Sequence, residues 1–129
     1  MQEKEFIIVS VKRTKGVHAA ITLVRPGNSG FCWETASAGR YSETSVLSKL
    51  SFYNNGTHSI AVPAEVVEEL TREVLYDYDA TAMCVPNTQG VWSKLLENAI
   101  RPTPSPAKPK YRSAYYPLSG VPAGMAATS

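Results

Sequence analysis

The sequence predicts an α+β fold: an antiparallel sheet of about five or six strands, begun by an N-terminal meander, with two amphipathic helices packed on one face. Three observations carry this. A run of β-branched residues opens the chain, turn residues follow at short intervals, and two later segments change to helical periodicity before a proline-rich end.

Residues 6–11, Phe-Ile-Ile-Val-Ser-Val, are almost continuously apolar and read as a strand buried on both faces. Thr14-Lys15-Gly16 turns the chain into residues 17–24, where Val17, Ala19, Ile21 and Leu23 share one face. So short a connection implies an antiparallel hairpin. Pro26-Gly27-Asn28-Ser29-Gly30 is a second turn, and residues 31–36 make the third strand of the meander, with Phe31, Trp33 and Thr35 together.

Residues 42–50 fit two patterns. Val46, Leu47 and Leu50 suit a short helix capped by Ser42, whereas Val46, Ser48, Leu50 and Phe52 suit a strand; the helix is the preferred reading. Asn54-Asn55-Gly56 predicts a hairpin joining residues 51–53 to 58–62, because Asn-Gly tolerates positive φ.

Pro63 opens the clearest helix, since proline's missing N–H costs nothing at the first helical position. Glu65, Glu68 and Glu69 complement its dipole, and Val67, Leu70 and Val74 form its apolar stripe. Glu68 and Arg72 stand at i, i+4, and the helix is expected to end near residues 76–79. Residues 80–85 read as a strand halted by Pro86. Residues 91–100 read as a second amphipathic helix with Trp92, Leu95, Leu96 and Ala99 inward, stopped by Pro102.

Residues 1–101 therefore form a compact domain. Residues 102–129 form a proline-rich tail expected to be disordered: Pro102, Pro104, Pro106 and Pro109 impose extended backbone, and little apolar surface offsets the entropy of ordering it. Within the tail, Lys108, Lys110, Tyr111 and Arg112 form a basic, aromatic cluster expected to meet a partner.

Composition bounds the function. Apolar residues make up 43% and charged residues 19% of the 129, which suits a globular protein. A net charge of +2 is too small for a dedicated duplex-DNA binder, and nucleic acid is not the expected main partner. The N-terminus lacks the pattern of a secretion signal, and no apolar run reaches the ~20 residues that span a bilayer. The expected setting is cytoplasmic, with no membrane partner and with Cys32 and Cys84 as reduced, core-packed thiols.

No nucleophile–base–orienter set can be read off, which argues against an enzyme, and neither a cofactor nor a metal is predicted. Cys32, Cys84, His18 and His58 have zinc-ligand chemistry but not zinc-ligand spacing. Asp77 and Asp79 read as a solvated helix end. The basic residues are more informative: Lys12, Arg13 and Lys15 cluster at the first hairpin, and Arg40 sits in the small-residue loop Ser-Ala-Gly-Arg-Tyr-Ser. A guanidinium beside free backbone N–H groups suits a phosphate or carboxylate.

The expected function is that of a non-catalytic accessory protein binding a small anionic ligand such as a nucleotide. Lys12, Arg13, Lys15 and Arg40 would hold the phosphate, Tyr41 or Tyr53 would stack on the base, and His18 and His58 would supply hydrogen bonds. The alternatives are a protein–protein interaction module or inhibitor, and a weak single-stranded nucleic-acid binder; Tyr41, Phe52, Tyr53, Tyr76 and Tyr78 are aromatics suited either to stacking on a base or to core and hairpin packing. Because so small a sheet leaves exposed edges, a homodimer or larger oligomer is also expected.

Overall fold

The computed structural model describes residues 3–75 and 80–112; the Asp77–Asp79 carboxylates, the Tyr76 and Tyr78 rings and the tail beyond residue 112 lie outside them. The architecture is α+β, as the sequence predicts. Seven strands and four helices follow one another along the described residues: β1 (Glu5–Ser10), β2 (Leu23–Val24), β3 (Phe31–Cys32), β4 (Tyr41–Ser42), α1 (Glu43–Ser48), α2 (Leu50–Tyr53), β5 (Ser59–Pro63), α3 (Ala64–Leu70), β6 (Arg72–Leu75), β7 (Thr81–Cys84) and α4 (Gln89–Glu97). No helix among them is long and apolar enough to cross a membrane.

β1 is the axis of a five-stranded antiparallel sheet. β5 pairs along its whole length, from Phe6 opposite Pro63 to Ser10 opposite Ser59. β2 and β4 share the opposite edge, with Val9 facing Leu23 and Phe6 facing Tyr41. β3 pairs with β2 and completes the meander. Alternation along β1 then sorts the core into two layers. Ile7 and Val9 join Leu23, Ile60, Val62, Val67, Trp92 and Leu95 under α3 and α4. Phe6 and Ile8 join Tyr41, Val46, Tyr53 and Ala61 under α1 and α2 on the reverse face. The two amphipathic helices do share one face, and the ambiguous segment after Ser42 supplies cover for the other. Ser42 caps α1 by accepting from Ser45 N–H.

Four local expectations are corrected. First, residues 17–22 are not strand: Val17 is 60% exposed, and Ile21 N donates to Val85 O rather than continuing the pairing with β1. Second, residues 34–36 leave the third strand for a 3-10 turn at Thr35–Ser37. Third, Asn54-Asn55-Gly56 joins a helical turn to a strand instead of making a hairpin. Asn55 Oδ1 accepts from His58 N at 2.7 Å and Asn54 Oδ1 from Ala61 N at 3.0 Å, so side chains do the work of a partner strand.

Fourth, the Pro63 helix ends at Leu70. Thr71 turns extended, its hydroxyl bonding back to Val67 O at 2.8 Å. Residues 72–75 then pair with β7 as a two-stranded ribbon. Val74 is buried there with Ala19, Ala20 and Cys84, not on a helical stripe. The expected Glu68–Arg72 pair is absent accordingly: Arg72 donates to the backbone oxygens of Glu69 and Thr71, and Glu68 takes Arg40 at 3.1 Å.

Residues 101–112 carry no helix or strand, yet they lie against the domain as a strap. Just before it, Ile100 N donates to Ala61 O at 2.8 Å and so meets the outer edge of β5, and Asn54 Nδ2 donates to Arg101 O where the strap begins. Ser105 N reaches Asn55 O, Ala107 packs on the core, and Arg112 N donates to Asn87 O at 3.0 Å. Gly56 makes the approach possible. Its φ is +87°, and a Cβ there would stand 2.0 Å from Ser105 O.

Candidate ligand-binding clefts

The open end of the α1/α2 face forms a cleft of about 360 Å³. Its floor is Ile8 and Ser10 of β1, Val24 of β2 and Ser59 of β5. Phe52 and Tyr53 make one wall, and Asn28, Gly30 and Phe31 make the other, with Lys12, Arg13 and His58 completing the lining. The walls differ in rigidity. Tyr53 is buried, accepts a hydrogen bond from Asn28 Nδ2 at 3.2 Å, and meets Phe52 edge-on with centroids 5.0 Å apart. Phe52 itself is 58% exposed and Phe31 45% exposed. The Arg13 guanidinium lies 5.0 Å from the Phe31 centroid, a cation–π contact that leaves its N–H groups able to donate.

Tyr41 positions one of these walls. Its hydroxyl lies 2.5 Å from Arg25 O and accepts from Asn28 N at 3.1 Å, tying down the turn that leads to Phe31. Gly39 must lack a Cβ here, since one would stand 2.7 Å from the Tyr41 ring and 2.8 Å from the Pro26 backbone. Burial raises the Tyr41 hydroxyl pKa above its ordinary value, an effect partly offset by its bond to Asn28.

A second cleft, of about 700 Å³, opens between the turn after β1 and the strap. Lys12 and Lys15 line it from the turn, Lys108, Lys110 and Tyr111 from the strap, and Thr57 lies between them. Thr14, almost fully buried, shapes the turn: its hydroxyl donates to Ser10 O at 2.7 Å and accepts from Thr22 N at 2.9 Å. Asn87 clasps the turn's far side, its amide donating to Lys15 O and His18 O at 3.0 Å each while its oxygen accepts from Trp92 Nε1 at 2.7 Å.

A third cleft, about 460 Å³, is lined by Arg13, His18, Arg25, Trp33 and Glu34 among others, so its charge is mixed. His18 stacks edge-on against Trp33 at 5.5 Å, and its Nδ1 accepts from Lys15 N at 3.2 Å. Burial, then the charges of Lys15 and Arg112, hold the His18 pKa below the ordinary histidine value, which favours the neutral ring that this bond needs.

Of the residues singled out from sequence, Lys12, Arg13, Tyr53 and His58 meet at the sheet-face cleft, and Lys12, Lys15, Lys108, Lys110 and Tyr111 at the lysine cleft. His18 stands in the third cleft and Arg112 docks beside Asn87. Arg40 lines none of the three; it is bound to Glu68 on α3, and that bond raises its pKa further. Tyr41 is committed to the turn. Phe52 stood among the aromatics that the sequence offers for stacking on a base, whereas Phe31 was read only as a strand residue. That both face solvent at one cleft is revealed only by the fold.

The cysteines are unpaired. Burial, then Glu34 and Cys32, push the Cys84 thiol up to about 11, and burial also raises Cys32. Among the described residues, no three His, Cys, Asp or Glu side chains gather in a way that would hold a metal ion. No family model, no curated protein and no solved structure matches this chain.

Proposed function

We propose that this protein binds a small aromatic anion, such as a nucleotide, in the sheet-face cleft. The carrying observation is that two solvent-exposed phenylalanines and three basic side chains line one cleft, floored by Ile8, Val24 and two serines, to which no carboxylate contributes. Its volume of about 360 Å³ falls within the range of small-molecule sites. Phe52 or Phe31 offers a face for a ring, and Lys12, Arg13 and His58 offer donors to an anionic group. One stacked ring contributes about 1–3 kcal/mol, so with the cations a dissociation constant of about 10 μM to 1 mM follows. The unpaired thiols suit a reducing, cytoplasmic setting. Self-association through a sheet edge falls to β3 or β4, because Ile100 and the Asn54 side chain occupy the outer edge of β5 at Ala61.

Titration calorimetry with nucleoside mono- and triphosphates tests the site. Phe52→Ser should weaken binding about tenfold while leaving the melting temperature unchanged, because Phe52 is largely exposed. Arg40→Ala should leave affinity as it was. Binding that survives Phe52→Ser and Arg13→Gln but is lost with Arg40→Ala would refute the site.

A further inference from the structure

We propose that the ligand is a single-stranded nucleic acid, with one base in the sheet-face cleft and its sugar-phosphate backbone running over Lys12 into the lysine cleft. The inference rests on the nucleotide reading above and extends it.

Lys12 lines both clefts, so the two sites adjoin. The charge distribution supports their union. Residues 6–33 contain four cations and residues 98–129 four more, with no Asp or Glu side chain in either segment. The fold brings Lys12 and Lys15 of the first together with Lys108 and Lys110 of the second at the lysine cleft. Among the described residues, Lys12, Lys15, Lys108 and Lys110 have no carboxylate in ion-pair reach, and all four are exposed. A cleft of about 700 Å³ is larger than a single phosphate needs and has room for several in a row. Lysine acts there as a point charge, tolerant of phosphate geometry. Pro106 and Pro109 favour the extended backbone that presents Lys108 and Lys110 along the groove.

A duplex fits poorly. Its bases are stacked inside and cannot reach Phe31 or Phe52, whereas a single strand can splay one out. The small net charge of +2 does not oppose this, because the carboxylates lie elsewhere in the sequence, mostly at residues 65–79.

Fluorescence anisotropy of the full chain with a labelled oligothymidylate of about 12 nucleotides, from about 50 to 200 mM salt, tests the inference beside calorimetry with the mononucleotide. The oligonucleotide should bind at least about tenfold tighter than the mononucleotide, with a log–log salt slope of about −2 to −3 for three or four phosphate contacts. Lys108→Gln with Lys110→Gln should reduce that slope by about 1.4 and leave mononucleotide affinity unchanged. If the mononucleotide binds but the oligonucleotide gains nothing, or the double substitution has no effect, the inference fails and the nucleotide site stands. If the oligonucleotide binds through the lysines while Phe52→Ser changes neither affinity, the nucleotide reading fails and takes this inference with it. Inorganic polyphosphate or an acidic peptide binding as tightly as the oligonucleotide would overturn the choice of nucleic acid.

Discussion

Asn87 is fully buried, and its side chain ties two separate parts of the molecule together by three bonds: the lysine-bearing turn through Lys15 O and His18 O, and α4 through Trp92 Nε1. Asn87→Leu keeps the approximate shape and removes all three bonds. Lys15 O retains His18 N–H as a donor at 3.0 Å, so that loss is one ordinary bond of about 1 kcal/mol. His18 O loses its Asn87 partner in a half-buried setting and Trp92 Nε1 in a buried one, at about 1–3 kcal/mol each. Allowing for the apolar gain of leucine, the expected destabilisation is about 3–5 kcal/mol, a large share of the ~5–15 kcal/mol typical of a domain. Equilibrium urea unfolding followed by tryptophan fluorescence reads it as a lower midpoint at constant slope. Trp92→Phe removes one of the same bonds from the other side. The double variant should therefore lose less than the sum of the singles, by about 1 kcal/mol or more. A loss below about 1 kcal/mol for Asn87→Leu, or strict additivity, would refute the view that this amide organises the turn.

Three further outcomes follow from the same geometry. Gly56→Ala sets a Cβ against Ser105 O at a positive φ, so it should cost about 1–3 kcal/mol and speed tryptic cleavage after Lys110 as the strap lifts; unchanged stability and cleavage would mean the strap does not depend on this contact. His18 has a lowered folded pKa, so the unfolded chain takes up the proton first. Stability should be full above the ordinary value of 6.5 and fall as the pH drops through it; His18→Gln should flatten that part of the pH–stability curve, and an equal slope in the variant would contradict the role given to His18. With its thiol raised to about 11, Cys84 in a Cys32→Ser background should resist a thiolate-selective reagent at about pH 8 until the protein unfolds, and labelling at the rate of free cysteine would show that the site is open.

The sequence by itself determined the elements whose signals are local and redundant. The Phe6–Ser10 run is apolar on both faces, and it became the central strand. Ser42 with the apolar residues behind it became a capped helix, and the Trp92–Leu95 stripe became α4. It also determined two local cation clusters, one at Lys12, Arg13 and Lys15 and one at Lys108, Lys110 and Arg112, though not that the fold would join their lysines in one cleft.

Tertiary structure decided what depended on a partner. Val74 suits a helical stripe at i+7 and a strand face equally well, and only β7 beside it settles the matter. Asn-Gly at 55–56 suits a hairpin, but β5 pairs with β1 instead, leaving the asparagine side chains to close the loop. Arg40 and Tyr41 look free in sequence, yet Glu68 and the 25–28 turn claim them. The sheet-face cleft likewise belongs to the fold. Phe31 and Phe52 lie 21 positions apart in the chain. Their common wall-and-floor arrangement exists because β1 carries β2 on one edge and β5 on the other, which no local pattern encodes.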